Sequence, residues 1–483
     1  MVLKDLLKNI KCEVFGNENV GIKKLTHKSE EACSGDVFFC LRGNNVDGHD
    51  LAKVVDRKGV AVIVTEEKIN NLQCCQVVVE NSREAMSLCA SNYYGNPSKD
   101  MFIIGVTGTN GKTTSTYLLK NVIEAAGGKV AIIGTNGVIC GDKKIETNMT
   151  TPDPIILQSL LCNLKKEGVE YVCIEMSAHA AHLQKLRGVM TDIILFTNLT
   201  QDHLDYFETM EKYGEAKRQL FDKNFADYAV INYDDSFGKK ICEYTNLPYL
   251  TYSLNNSTCD IKAEGIEQTK TGEKYMLHFQ NKKIEIVQHL FGNFNISNAI
   301  GVVGAALLLG IDMQTIKKGI EKTIDVPGRF NVKENNGVKF IVDYAHTPDG
   351  LQNVLSVART LTKNRLISVF GCGGDRDSSK RSVMGNISSN LADYSIVTSD
   401  NPRFEDPDAI ISEIVSGIAN KNYKCITDRR QAIIHASKIA KMGDVVVISG
   451  KGEENYIDEK GVKRPYSDKE VLREIELDNE CKL

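Results

Sequence analysis

A glycine-rich loop between an apolar run and a helical pattern constrains this chain most. The loop, Gly105-Val-Thr-Gly-Thr-Asn-Gly-Lys-Thr-Thr114, follows the strand-like run Met101 to Thr107 and leads into a helical pattern from Thr113 to Ala126. In such a unit the backbone N–H groups and the helix N-terminus together form an anion site. Lys112 would meet the β- and γ-phosphates, and the Thr113 hydroxyl would meet Mg²⁺. A plain βα turn would not require a lysine followed by two hydroxyls, so the loop predicts ATP binding.

Strands and helices alternate after this loop. Four runs are apolar enough to be buried on both faces, as strands of a parallel sheet are: residues 130–134, 171–175, 192–198 and 229–232. Residues 261–287 read instead as shorter strands of an antiparallel segment. A second alternating series follows Val326-Pro327-Gly328, with candidate strands at residues 340–343, 366–371, 394–399 and 444–449.

The length sets the number of domains. At roughly 150 residues per domain, 483 residues fit about three domains. We predict an α/β protein that begins with a small N-terminal α/β domain at residues 1–100. Residues 101–327 would form a central P-loop ATPase-like domain with a mostly parallel sheet, and residues 328–483 a C-terminal Rossmann-like doubly wound sheet.

Charge and hydropathy exclude several classes of partner. The chain has 59 Lys and Arg against 63 Asp and Glu and contains no polybasic run, so we expect no nucleic-acid partner. The longest apolar run, Ala299 to Ile311, would span roughly 20 Å of a hydrocarbon core of roughly 30 Å, which predicts no membrane insertion. Charged residues at positions 4, 5, 8 and 11 interrupt any signal peptide, so we expect a cytoplasmic protein.

Polar residues at the ends of predicted strands indicate a metal site. Glu175 ends an apolar strand, at the sheet edge where ligands of open α/β sheets bind. It would share the crevice of the phosphate loop and hold a cation. His203 follows the next buried strand and could ligate a second cation. His179 and His182 have zinc-like spacing, but no third ligand matches it, so we interpret them as ordinary polar residues.

Five motifs, in order over about 240 residues, carry a resemblance to a known family. They are the phosphate loop, Asp202-His-Leu-Asp205, Gly292-Asn-Phe-Asn-Ile-Ser-Asn298, Pro327-Gly-Arg329 and Asp343-Tyr-Ala-His-Thr-Pro348. Together they resemble the Mur ligases, ATP-dependent amino-acid ligases that build the peptide stem of peptidoglycan. The resemblance implies that the enzyme activates a carboxylate as an acyl phosphate before an amine attacks it.

Three C-terminal motifs resemble the family member that adds the third residue of the stem. They are Phe370-Gly-Cys-Gly-Gly-Asp-Arg-Asp377, Asp400-Asn-Pro-Arg403 and Gly450-Lys-Gly-Glu-Glu454. The arginine of the second motif is typical of members that use meso-diaminopimelate, and lysine-adding members lack it. The resemblance implies that this amino acid is joined to the D-glutamate of UDP-N-acetylmuramoyl-L-alanyl-D-glutamate.

The resemblance also implies site residues. ATP would be bound by Gly108, Thr109, Asn110, Gly111, Lys112, Thr113, Thr114, Asn293, Arg329 and Asp343. The catalytic residues would be Lys112, Glu175, His203 and Lys217. The Mg²⁺ ligands would be Thr113, Glu175, His203 and Lys217, with CO₂ bound to Lys217 as a carbamate. UDP-N-acetylmuramoyl-dipeptide would meet Ser29, Thr150, Thr151, Ser177 and Arg187. Diaminopimelate would meet Arg376, Asp400, Asn401, Pro402, Arg403, Gly450 and Glu454.

Alternatives remain open at this point. The same ligase could use L-lysine or another amino acid, and a folylpolyglutamate synthetase shares the chemistry and the central fold. A non-catalytic ATP-binding regulator is a third possibility, although a second metal site argues against it. We expect small-molecule substrates as the partners and a monomeric chain.

Overall fold

The computed structural model describes residues 1–43 and 46–480. Its strands form three successive α/β sheets, built from residues 12–79, 102–288 and 331–449, which confirms the predicted three-domain α/β fold. The predicted boundaries at residues 100 and 327 fall in the connections between these sheets.

The N-terminal sheet has five strands in the order β1-β5-β4-β3-β2, and only β1 runs antiparallel to its neighbour. The strands are β1 (Cys12–Phe15), β2 (Leu25–Thr26), β3 (Val37–Phe39), β4 (Val62–Thr65) and β5 (Cys75–Val79). The helices of this part are α1 (Leu3–Leu6), α2 (Ala52–Asp56) and α3 (Ser82–Tyr93). Short 3₁₀ turns lie at Ser29–Glu31 and Gly48–Leu51. Because β3 and β4 are buried on both faces, they read as continuous apolar runs in the sequence.

The central sheet has eleven strands in the order β16-β15-β14-β13-β12-β11-β6-β10-β7-β8-β9. Its first strands are β6 (Phe102–Thr107), β7 (Val130–Gly134), β8 (Gly137–Cys140), β9 (Lys143–Ile145), β10 (Tyr171–Glu175) and β11 (Thr191–Phe196). The others are β12 (Ala226–Asn232), β13 (Tyr249–Ser253), β14 (Ile261–Gln268), β15 (Glu273–Phe279) and β16 (Lys282–Gln288). The phosphate-loop strand β6 lies between β10 and β11, so polar residues after all three strands meet at one edge.

Eight helices belong to this central part of the described chain. They are α4 (Lys112–Ala125), α5 (Pro154–Lys166), α6 (Ala178–His182), α7 (Leu204–Phe207), α8 (Met210–Arg218), α9 (Ser236–Tyr244), α10 (Asn293–Leu308) and α11 (Met313–Lys322). The apolar run that starts at Ala299 lies mostly within α10, whose residues 298–306 are buried against the sheet. The run is therefore a core helix. None of the described helices is both long and apolar enough to span a membrane.

The segment at residues 261–287 is antiparallel, as predicted, but it continues the main sheet. β14 pairs in parallel with β13 through Tyr252 and Ile261, and β15 and β16 then add as antiparallel hairpins. Buried residues alternate with less buried ones along most of β15 and β16, which fits this position because only one face of the hairpins packs on the core.

The C-terminal sheet has the order β17-β18-β22-β19-β20-β21 and is parallel except at β17. Its strands are β17 (Asn331–Asn335), β18 (Val338–Asp343), β19 (Leu366–Phe370), β20 (Tyr394–Val397), β21 (Tyr423–Cys425) and β22 (Val445–Ser449). A separate hairpin is formed by β23 (Tyr456–Glu459) and β24 (Val462–Pro465). The helices are α12 (Pro348–Thr360), α13 (Ser379–Leu391), α14 (Pro407–Val415), α15 (Arg429–Ile439) and α16 (Asp468–Glu480).

Candidate active site

The phosphate loop connects β6 to α4 and has room only for glycine at two positions. Gly108 has φ +149° and Gly111 has φ +89°, both in the region that favours glycine. A Cβ at Gly108 would collide with the Thr197 hydroxyl, and one at Gly111 would lie 3.0 Å from Asn298 Cγ. The loop is therefore packed against the residues after β11 and against α10.

Hydrogen bonds from the residues after β11 fix the loop backbone. Thr197 Oγ1 donates to Asn110 O at 2.6 Å, and Asn110 N donates to Asn198 Oδ1 at 2.9 Å. Thr109 N donates to Asn198 O at 2.9 Å. Because these hydrogen bonds pair backbone groups of the loop with the residues after β11, the loop and the N-terminus of α4 are held in place for a bound anion.

Lys112 folds over this loop. Its Nζ donates to Gly108 O at 2.9 Å and to Thr109 O at 2.7 Å. Burial lowers the pKa of Lys112 below its ordinary value, although Glu175 and Asp202 oppose the shift. A desolvated cation at a helix N-terminus gains most from a bound anion, which suits a phosphate site.

Glu175 ends β10 and is almost fully buried, with 1% of its surface exposed. Its Oε1 accepts from Thr113 Oγ1 and from Thr135 N, both at 3.0 Å, and its Oε2 accepts from Thr135 Oγ1 at 3.1 Å. A Cβ at Gly134 would lie 2.7 Å from Glu175 Cδ, so glycine there leaves room for the carboxylate. Thr135 was not predicted as a site residue.

Lys217 lies on α8 and is buried directly beneath the loop. Its side chain is 1% exposed, and its Nζ donates to Gly108 O at 2.8 Å. Burial, together with the charge of Lys112, holds the pKa of Lys217 well below its ordinary value. A lowered pKa increases the fraction of Lys217 present as the neutral amine, which is the form that reacts with CO₂. Tyr213, four residues earlier, is buried on the same helix face.

Asp202 links the end of the central sheet to the C-terminal domain. It lies 3.3 Å from His203 Nε2, 3.7 Å from His346 Nε2 and 3.6 Å from Lys380 Nζ. Burial alone would raise the pKa of Asp202, but the neighbouring His346 and the charge of Lys380 hold it well below its usual range. The residue stands in the Asp202–Asp205 motif, but we predicted no role for it.

His203 follows Asp202 in the left-handed region, with φ +56°. Burial lowers its pKa to about 3, although Asp202 opposes the shift, so the ring is neutral near pH 7 and could ligate a metal. His179 packs edge-on against it, with the ring centroids 4.7 Å apart. Within residues 1–43 and 46–480, no three His, Cys, Asp or Glu side chains group closely enough to hold a metal by themselves.

The C-terminal domain reaches the phosphate loop directly. Arg329 Nη2 donates to Thr113 Oγ1 at 2.9 Å, and Asn110 Nδ2 donates to Asp349 Oδ2 at 2.8 Å. Asp343 accepts from Phe330 N and Ala345 N, each at 2.7 Å, and burial raises its pKa. Arg329 therefore joins the C-terminal domain to the phosphate loop, whereas both of these hydrogen bonds to Asp343 come from its own domain.

A cavity of about 390 Å³ lies between these domains. The predicted ATP residues that line it are Thr109, Asn110, Gly111, Lys112, Thr113, Thr114, Arg329 and Asp343. Gly108 lies beneath the lining. Asn293 is exposed at the start of α10 and does not line the cavity, whereas Phe294, Asn295 and Asn298 do. Asn295 and Asn298 lie in the predicted motif, but residue spacing alone does not show which helix face meets the cavity.

Most residues predicted to contact diaminopimelate also line this cavity: Arg376, Asp400, Asn401, Arg403, Gly450 and Glu454. Pro402 is buried behind them. Lys451, which the sequence did not single out, is fully buried and donates to Asn401 Oδ1 at 2.9 Å. Asn401 Nδ2 in turn donates to Glu454 Oε2 at 3.0 Å. These bonds orient the Asn401 and Glu454 side chains together.

A second cavity of about 840 Å³ opens beside the first. Thr150, Thr151 and Ser177 line it, and Thr151 Oγ1 donates to Ser177 Oγ at 3.2 Å. Ser29 and Arg187 do not line it. Lys185 does, and its Nζ lies 2.7 Å from Asp153 Oδ1. The two cavities share a wall formed by Thr135, Thr150, Ser177, His203, Arg329, Tyr344, Arg376, Arg403 and Glu454.

The donor set beside the phosphate loop fits magnesium. Thr113 and Glu175 offer oxygen atoms, and Gly134 keeps the space around the carboxylate open. Mg²⁺ is usually held by one or two carboxylates together with substrate phosphates, which needs no cage made only of protein ligands. The residues present therefore suit an ion that arrives with a nucleotide.

Models of three Mur ligase domains match the chain. The Mur ligase family, catalytic domain matches residues 21–94, the Mur ligase middle domain matches residues 106–306, and the Mur ligase, glutamate ligase domain matches residues 328–452. These matches follow one another in the order of the three sheets.

Whole-chain relatives agree with these domain matches. The chain is 44% identical over 482 residues to a UDP-N-acetylmuramoyl-L-alanyl-D-glutamate--2,6-diaminopimelate ligase of Clostridium botulinum, covering 98% of this chain and 99% of that protein. A solved structure of a protein of the same name has a TM-score of 0.71 at 32% identity and covers 99% of both chains. A folylpolyglutamate synthase of Mycobacterium tuberculosis has a TM-score of 0.64 at 15% identity, covering 76% of this chain and 92% of that one, which shows a shared fold alone.

Proposed function

This chain belongs to the Mur ligase family, and we propose that it joins meso-diaminopimelate to the D-glutamate of UDP-N-acetylmuramoyl-L-alanyl-D-glutamate at the expense of ATP. The relative of 44% identity over nearly the whole chain supports this substrate pair. The reaction would belong to the cytoplasmic stage of peptidoglycan precursor synthesis.

One observation carries the proposal: the two cavities share a wall. The phosphate loop lines the first cavity and Thr151 lines the second, while Thr150 and Ser177 line both. A carboxylate held in the second cavity could therefore meet the γ-phosphate of a nucleotide held in the first. A shared wall of this kind suits transfer of a phosphoryl group between two bound substrates.

The chemistry needs two steps. A carboxylate oxygen of the substrate attacks the γ-phosphorus, the bond to ADP breaks, and an acyl phosphate forms. The amine of diaminopimelate then attacks the acyl carbon, phosphate leaves, and the amine loses a proton. Lys112 and Arg329 would neutralise the phosphate oxygens during the first step. Burial of the site would exclude water, which would otherwise hydrolyse the acyl phosphate.

Thr113, Glu175 and His203, together with a carbamate on Lys217, would hold the magnesium ions. When bound, magnesium would offset negative charge between the nucleotide and the acceptor carboxylate. The burial and the lowered pKa of Lys217 support carbamylation. At an ordinary pKa near 10.4, only roughly one lysine in 2,500 would be neutral at pH 7.

Arg403 would select the amino acid. Diaminopimelate differs from lysine by a carboxylate at its far end, and a guanidinium fork binds a carboxylate bidentately. Arg403 lines both cavities, as Arg376 and Glu454 do. An acidic and two basic side chains together suit the ammonium and carboxylate groups of this substrate.

Phosphate release with the full set of substrates tests the proposal. We expect release with ATP, UDP-N-acetylmuramoyl-L-alanyl-D-glutamate and diaminopimelate, with mass spectrometry detecting the tripeptide product. Omission of any one substrate is expected to stop it. Turnover with L-lysine at an equal rate would contradict the choice of amino acid. Turnover with a folate and glutamate would indicate a folylpolyglutamate synthetase, and ATP binding without any turnover would indicate a regulator.

A further inference from the structure

Two loops of the C-terminal domain carry the arginines expected to meet diaminopimelate. The first, residues 373–377, carries Arg376, and the second, residues 400–405, carries Arg403. Behind both loops lies Arg381 of α13, with only 1% of its side chain exposed. Arg381 lines neither cavity, so it does not touch a substrate held there.

Arg381 holds both loops with one guanidinium group. Nη1 and Nη2 donate to the two carboxylate oxygens of Glu405, each at 2.8 Å, and Nη2 also donates to Gly373 O at 3.3 Å. Nη1 makes a further bond of 3.1 Å to Glu413 on α14. The fork thus joins one residue of each loop to the helices behind them.

Glu405 passes this restraint on to the first loop. Its Oε1 accepts from Asp375 N at 2.5 Å, and Phe404 N donates to Asp375 Oδ2 at 3.2 Å. Asp375 lies in the left-handed region, with φ +49°, next to Arg376. A hydrogen bond from Arg381 lowers the pKa of Glu405, which keeps its carboxylate ionised.

Arg403 takes its orientation from the first loop. Its Nη1 donates to Gly374 O at 2.6 Å, and its backbone, at φ +51°, is clamped between Asp458 O and Lys460 N at 3.0 and 2.7 Å. A Cβ at Gly374 would lie 2.8 Å from Pro402 C, so the two loops pack too closely there for any residue other than glycine. Movement of residues 373–375 would therefore carry the Arg403 fork with it.

We propose that Arg381 is a positioning residue that sets the preference for diaminopimelate by fixing the two loops that carry Arg376 and Arg403. The inference rests on the proposed function. A fork displaced by about 1 Å loses bidentate geometry toward a carboxylate. L-Lysine has no carboxylate at that end, and neither loop carries a residue expected to contact ATP, so loosening the loops should weaken the use of diaminopimelate selectively.

The two carboxylates that pair with Arg381 provide a matched test. Glu405→Gln and Glu413→Gln each remove one charge from the same guanidinium, and both positions are partly exposed, so both variants should fold. Only Glu405 is bonded to the first loop. We expect Glu405→Gln to raise the KM for diaminopimelate about tenfold, while Glu413→Gln leaves it within about twofold.

Arg381→Lys keeps the charge but loses the fork, and it should resemble Glu405→Gln. In all three variants the KM for ATP should stay within about twofold of wild type. The positioning role would be overturned if Glu405→Gln and Glu413→Gln raised the KM for diaminopimelate equally. It would also be overturned if the KM for ATP rose as much as the KM for diaminopimelate. If the wild-type enzyme did not prefer diaminopimelate to L-lysine, the proposed function itself would fall, and this inference with it.

Discussion

Replacing Gly134 with alanine tests whether the position of the Glu175 carboxylate sets the rate of phosphoryl transfer. Gly134 ends β7 outside the left-handed region, so its backbone can accept alanine. The new Cβ would lie 2.7 Å from Glu175 Cδ and closer still to its Oε1. Ordinary carbon contacts are about 3.5–4.0 Å, so the carboxylate must move by about 1 Å.

That movement breaks hydrogen bonds whose lengths are known. Glu175 accepts from Thr113 Oγ1, Thr135 N and Thr135 Oγ1 at 3.0–3.1 Å, and a 1 Å shift takes at least one of them out of range. A hydrogen bond to a charged group contributes about 1.5–3 kcal/mol. A loss of about 2 kcal/mol from the transition state lowers kcat by about 30-fold.

The assay is phosphate release at saturating substrates while the magnesium concentration is varied. We expect the Gly134→Ala enzyme to have the lower kcat and to need more magnesium for half-maximal activity. Gly21→Ala is the control, because no described atom lies within 4 Å of its Cβ position and its backbone is also outside the left-handed region. A folded Gly134→Ala enzyme with wild-type kcat and magnesium dependence would refute the reasoning.

Three further predictions concern other residues. Arg403→Lys should lower kcat/KM for diaminopimelate at least about tenfold, because an ammonium cannot bind a carboxylate bidentately; kinetics with diaminopimelate and L-lysine check this. Lys217→Met should be inactive in phosphate release with or without bicarbonate, whereas wild-type enzyme stripped of CO₂ should recover when bicarbonate is added. Burial and the charge of Arg376 lower the pKa of His179 to about 4, so the unfolded chain, with its histidine near 6.5, binds the proton first as pH falls. The contribution of His179 to stability is therefore complete above about pH 6.5 and is lost as the pH falls toward about 4. Between about pH 7 and pH 5, the unfolding free energy of wild type should fall by about 1–2 kcal/mol more than that of His179→Gln, as measured by urea titrations.

Local signals placed the glycine-rich loop between β6 and α4 and Glu175 at the end of β10, as the structure has them. The backbone conformation and close contacts at Gly108 and Gly111 require glycine, and Glu175 is the last residue of the buried strand β10. Both features can be recognised from a few consecutive residues. Lys217 has a weaker signal. It lies four positions after Tyr213, on the same buried face of α8. From the sequence alone, however, a helical lysine is predicted to be exposed to solvent, because the loop that covers it is not known.

Other site residues depend on which helix face or turn points at a cavity. Lys185 lines the second cavity, whereas Arg187, two residues later, is exposed. Asn295 and Asn298 line the first cavity, whereas Asn293 does not. A shift of one or two residues rotates a helical side chain to another face, whereas residues three apart, such as Asn295 and Asn298, share one. The periodicity of a sequence shows which residues share a helix face, but it does not show which part of the protein that face contacts.

The sequence by itself determined the order of the strands and helices, the phosphate loop and the membership of a ligase family, because each depends on residues close together in the chain. Only the tertiary structure decided how the central and C-terminal sheets share one site. Contacts such as Arg329 with Thr113 and Asp202 with Lys380 join residues far apart in sequence. Their distances follow from the packing of whole domains, and so does the burial of Lys217 and Arg381, because burial depends on everything that surrounds a group.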